Sequence, residues 1–141
     1  MEEPEGIPGH AGASEWSRAL HIWLRDCGLS FEAEGEATRI SLPNGVTVEL
    51  TESEEGFAVV ISLSLATRGE DLLVEAEVIA EAFWLAGKVA GKGKVLFDID
   101  SSLPDYPILY ITIPFNSPWE IVSSLQGALT PYCGEGVKDE G

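Results

Sequence analysis

The chain has 141 residues, 45% of them apolar, which is enough length for one domain with a real core. Twenty-four acids against eight Lys and Arg give a formal net charge of -16. A surface of that sign is repelled by nucleic-acid phosphate and by anionic lipid, so neither nucleic acid nor membrane is an expected partner.

Residues 1–13, with Pro4, Pro8 and three glutamates among the first five positions, read as a flexible acidic arm. The arm lacks the basic start and apolar run of a signal peptide, and a cytoplasmic location is expected. The uncharged stretches 56–67 and 106–119 are too short to span a bilayer. Cys27 and Cys133 lie far apart in sequence and form no metal-knuckle spacing, so free, mostly buried thiols are expected. The scarcity of Asn, Gln, Cys and Met favours a thermophilic source.

A first helix begins at Ser14, a good N-cap, and stops at Cys27 before Gly28. Trp16, Ala19, Leu20, Trp23, Leu24 and Cys27 recur at helical spacing, which directs both tryptophans to the core. The stretch that follows, through Glu36, is polar and reads as a connection. Segments 37–42 and 46–51 then alternate about Pro43-Asn44-Gly45. A three-residue loop sets Ile40 opposite Val48 and Thr38 opposite Leu50, whereas a two-residue Asn-Gly loop would set Ile40 opposite Glu49. Register therefore selects the longer loop, with Gly45 left-handed. Residues 57–66 alternate apolar with small side chains and read as the central strand of an antiparallel meander.

A long helix over 67–91 opens with the capping box Thr67-Arg68-Gly69-Glu70 and stops at Gly91. At 100° per residue its core stripe is Leu72, Leu73, Ala76, Ile79, Ala80, Phe83, Ala86 and Ala90. A second apolar ridge, Val78, Ala82, Leu85 and Val89, lies on another side. Such a ridge suits a twofold homodimer interface, with cover by the first or third helix as the alternative. Strands 94–100 and 108–115 follow, with Val95, Phe97, Ile99, Leu109, Ile111 and Ile113 inward. Ser117-Pro118-Trp119-Glu120 caps a third helix that turns Trp119, Val122, Leu125 and Leu129 inward and ends before Pro131. Residues 134–141 read as a flexible tail. The fold class is α+β, an antiparallel sheet with helices on one face in the order α-β-β-β-α-β-β-α, all within a single domain over 14–133.

Chemistry-bearing groups are sparse. Asp98 and Asp100 share the outer face of their strand and, with Glu49, form a weak candidate for a divalent cation or a general acid. Solvated acids that discourage edge pairing are the favoured reading, since a perturbed acid needs a cleft the sequence does not show. His21 lies on the polar side of the first helix beside Arg18 and Arg25, without a spaced partner. The run 87–93 ends a helix instead of opening one and lacks the hydroxyl of a phosphate loop. No nucleophile elbow, zinc-binding or dinucleotide motif occurs in a suitable context. No catalytic site, cofactor or resident metal is expected.

From Ser14 to Cys133 the chain resembles the class I type III secretion chaperones and the similar YbjN-like proteins. The resemblance rests on a helix ending in Cys27-Gly28-Leu29, a meander through Leu65, a long helix, two strands ending at Ile113-Pro114-Phe115, and a closing helix with Trp119. It implies a homodimer that binds an extended segment of a client protein without ATP. The expected function is accordingly a non-enzymatic protein-binding module. The alternatives are a small metal-assisted hydrolase using Asp98 and Asp100, and a structural subunit of a larger complex.

Overall fold

The first helix stops where a glycine lets the backbone turn left-handed. Gly28 takes φ +84°, and the amides of Gly28 and Leu29 reach back to the carbonyls of Arg25 and Leu24 at 3.1 Å each. These two bonds form a Schellman closure, and they deliver the chain directly into a strand. In the computed structural model, which describes residues 15–34, 37–53, 56–65, 72–103 and 105–133, the order is α1 (Glu15–Cys27), β1 (Ser30–Glu34), β2 (Ala37–Ser41), β3 (Thr47–Ser53), β4 (Gly56–Ser64), α2 (Leu72–Ala90), β5 (Leu96–Asp100), β6 (Ile108–Phe115) and α3 (Pro118–Leu129), followed by a 3-10 turn at Thr130–Tyr132. The expected arm, tail and Thr67 capping box fall outside the described residues.

The class is α+β as expected, with a further strand, β1, inside the stretch read as a polar connection. The strands form one antiparallel sheet in the order β1-β2-β3-β4-β6-β5. In β1, Phe31 faces inward opposite Ile40, while Glu32 faces outward opposite Arg39. The β2–β3 hairpin has the expected register, with Ile40 opposite Val48 and Thr38 opposite Leu50. Its loop is closed by the Leu42 amide on the Val46 carbonyl at 2.9 Å and by the Val46 amide on Asn44 Oδ1 at 3.0 Å, with Gly45 at φ +93°. On β4 and β6, Val59, Ile61 and Leu63 stand opposite Ile113, Ile111 and Leu109, and all six are buried.

Helices cover this inner face, while the other face of the sheet carries no helix among the described residues. Helix α1 lies toward β1, α3 packs between α1 and α2, and α2 lies over β4 and β6. Leu20, Leu24, Leu85, Ile121, Leu125 and Leu129 meet the sheet residues in one core. Helix α3 begins as expected, with the Ser117 hydroxyl accepting from the Trp119 amide at 3.2 Å and Pro118 at the first helical position.

Several inward assignments are corrected. Trp16 and Trp23 are half-buried at the margin of the core, with Trp16 edge-on to Phe57 at 6.1 Å between ring centroids. Trp119 is 52% exposed, because the buried stripe of α3 runs through Ile121, Val122, Leu125, Ala128 and Leu129, and position 119 lies more than a quarter turn away from its centre. The cysteines are not free, since Cys27 and Cys133 are joined in a disulfide that ties the end of α1 to the turn after α3.

His21 also has a partner. Its Nε2 lies 2.9 Å from the hydroxyl of buried Thr38, and its ring stacks on Phe31 at 5.1 Å. Burial first, and the Arg25 charge second, lower its pKa below the ordinary 6.5. As pH falls through about 6.5 the unfolded chain therefore takes up a proton that the folded chain resists, and stability declines from that pH downward. Urea midpoints near pH 7.5 and pH 5.5 should differ less for His21→Gln than for the native chain. An identical decline in both would refute this role for the histidine.

Candidate interaction surface at the open strand

The sheet separates the three acids that might have held a cation. Glu49 is on β3 and Asp98 on β5, with β4 and β6 between them. Three interstrand spacings amount to about 14 Å, so Glu49 cannot share a ligand with the β5 acids. It belongs instead to a cross-strand row of Glu32, Arg39 and Glu49, where the arginine stands between two acids. Asp98 and Asp100 do share the outer face, and both are exposed. The Ser102 amide, 2.9 Å from Asp100 Oδ1, holds that carboxyl below its ordinary pKa, which suits a solvated turn and not a general acid. Among the described residues no group of three His, Cys, Asp or Glu is placed to hold a metal ion.

The proposed interface ridge on α2 lies inside the chain. Ala82, Leu85 and Val89 are buried against α3 and the sheet, and Val78 is half-buried beside them. The stripe expected to be core is the one that faces out. Ala76, Ala80, Phe83 and Gly87 are exposed, while Ile79 and Ala90 lie at the boundary, and of the eight expected core positions Ala86 is fully buried. The side chains of Leu72 and Leu73 lie outside the described set. The helix is therefore rotated by roughly a quarter turn from the expected phase at 100° per residue.

That rotation creates an apolar surface at one end of the sheet. Strand β5 pairs with β6 on one side and with no described strand on the other. Its inner-face residues Phe97 and Ile99, 66% and 52% exposed, stand opposite buried Ile111 and Leu109, so they point to the helical side as expected. They are nevertheless not covered, because the helical layer ends at α2. Phe83, 38% exposed, reaches out from α2 to meet Phe97 edge-on at 5.8 Å. Trp84 is exposed beside it, with the Lys88 ammonium 5.7 Å from its ring. On the outer face of the same strand Leu96 is 52% exposed, and Leu103 and Tyr106 are exposed in the loop that follows.

Large apolar side chains gathered beside an unpaired strand edge are unusual on a solvated surface. Apart from Phe83, which was assigned to the core, none of Trp84, Leu96, Leu103 and Tyr106 had been singled out from the sequence.

Among the described residues the geometry defines an α+β protein with helices on one sheet face and an apolar surface at the β5 edge. No protein-family model matches the chain, and no curated protein matches it. Among solved structures it is similar to YbjN from E. coli, at 17% sequence identity with a TM-score of 0.39; the match covers 88% of this chain and 93% of that one. Among the described residues no helix is long and apolar enough to cross a membrane.

Proposed function

We propose that the protein is a non-enzymatic protein-binding module, an acidic chaperone-like or adaptor homodimer that holds a segment of a client protein. The observation that carries this reading is the apolar surface of Phe83, Phe97 and Ile99 beside the unpaired edge of β5. Backbone groups along an open edge supply hydrogen bonds to any added strand, and the neighbouring side chains select which strand fits. The net charge of -16 favours basic client segments and disfavours acidic ones.

The test uses Phe97→Ser, whose side chain is largely in solvent, so that the fold is retained. Its melting curve should match that of the native chain to within the scatter usual for surface changes, about 0.5 kcal/mol. Its self-association by light scattering, or its capture of client protein, should fall. If native and variant chains associate identically, in both respects, this surface is not the binding surface.

A further inference from the structure

We infer that the Cys27–Cys133 cystine is a redox site, opened in the folded protein by a small dithiol that enters at the cavity beside Tyr132 and attacks Cys133 Sγ. The two sulfurs are unequally placed. Cys27 is 7% exposed and ends α1, where the Leu29 amide closes back onto the Leu24 carbonyl. Cys133 is half-buried and leaves the 3-10 turn in an extended conformation, and among the described residues no helix or strand lies beyond it. Exchange at a cystine is governed by which sulfur a thiolate can reach, and here that sulfur belongs to Cys133.

A cavity adjoins the same corner. It measures about 240 Å³ and is walled by Gly28, Ser30, Ser41, Pro43 and Tyr132, the first of which follows Cys27 and the last of which precedes Cys133. A water molecule takes about 30 Å³ of the liquid, so the space admits a small thiol. None of its lining residues is charged. In a chain of net charge -16, an uncharged entry suits a dithiol with no acidic group of its own. The wall also persists when the bridge opens, because the Tyr132 hydroxyl donates to Glu81 at 2.6 Å and so fastens the turn to α2 independently of the cystine.

The exchange proceeds in two balanced steps. One thiol of the reductant, as its thiolate, bonds to Cys133 Sγ and breaks the bond to Cys27, which departs as a thiolate and takes a proton from water. The second thiol then attacks the mixed disulfide, releasing Cys133, which is protonated in turn, and the reductant leaves as a cyclic disulfide. Two electrons pass from the dithiol to the cystine. The ambient thiols thereby set whether α1 is covalently tied to the turn after α3 or held there by Tyr132, Glu81 and packing alone.

The experiment follows opening in the native chain without denaturant, with samples quenched by iodoacetamide and alkylated thiols counted by mass. The rate should rise in proportion to dithiothreitol concentration and stay level in urea below the unfolding transition. The single-thiol probe 2-mercaptoethanol should leave its adduct on Cys133, with Cys27 recovered as the alkylated free thiol. Ser41→Trp, a change at an exposed position that fills the cavity, should slow opening roughly fivefold or more at an unchanged urea midpoint. A rate that levels off as dithiothreitol rises, or that climbs with urea as steeply as unfolding does, overturns the proposal, because the cystine then opens only in unfolded chains. An untreated chain that already yields two thiols overturns it as well. An adduct on Cys27 overturns the attack at Cys133, and equal rates in the native and Ser41→Trp chains overturn entry at the cavity.

Discussion

Replacing Leu85 and Val89 together by glutamate should unfold the protein outright. Leu85 is 1% exposed and Val89 2%, both between the sheet and the third helix. A carboxylate at either position leaves water without gaining a partner, a cost of several kcal/mol even after the site relaxes or the acid takes up a proton. The lost apolar packing adds to that cost. Two such changes together exceed about 5 kcal/mol, the lower end of ordinary domain stability. Circular dichroism should show loss of cooperative melting. A folded double variant that has merely become monomeric would mean that the ridge is an interface after all, and that α2 is turned the other way.

The phase of α2 shows where sequence reading met its limit. Apolar residues cover most of the circumference of this helix, with charge, apart from the buried Glu75, kept to a line through Glu77, Glu81 and Lys88. Periodicity fixes which way such a line points, but it cannot choose between two apolar sides. The large Phe83, with Leu72, Leu73 and Ile79, gives weight to the side assigned to the core, on which Phe83 proves to be exposed. The smaller Ala82 and Ala86 are the ones that let α2 approach α3 and the sheet.

By contrast the β2–β3 hairpin was fully legible, because loop length, Gly45 and a period of two all constrain one register. Strand β1 was hidden by its acids. Glu32 reads as loop polarity until Arg39 is known to stand opposite. In β5 the alternation correctly named the helical face of Phe97 and Ile99, yet facing the helices is not the same as being covered by them. Coverage depends on how far a layer of three helices extends over six strands, and no local pattern records that extent. The exposed interaction surface follows from that shortfall, which is why most of it escaped the sequence.

The pairing of Cys27 with Cys133 escaped for a related reason, and its removal should have the second large effect. The two cysteines are 106 residues apart in sequence, and they meet because α1 and α3 pack side by side and each ends at the same corner. A cross-link closing a loop of about 100 residues restricts the unfolded chain by up to roughly 4.7 kcal/mol in the chain-entropy account, with measured values more often about 2–4 kcal/mol.

Native contacts at the corner survive reduction. The Tyr132 hydroxyl donates to Glu81 at 2.6 Å, and burial together with that carboxylate keeps the phenol protonated by raising its pKa. Reduced protein should therefore still fold, with a lower urea midpoint and a slope at least as steep, because the unfolded chain without its cross-link exposes more surface. Cys133→Ser should reproduce the reduced midpoint, since residue 133 is half-buried and a serine there leaves little cavity. Equal midpoints with and without reductant, together with two titratable thiols in the untreated folded chain, would refute the disulfide. A positive result would also count against the expected cytoplasmic location, because reducing compartments rarely preserve such bonds outside hyperthermophiles. The same measurement therefore tests the covalent corner of the fold and bears on the compartment in which this surface meets its partner.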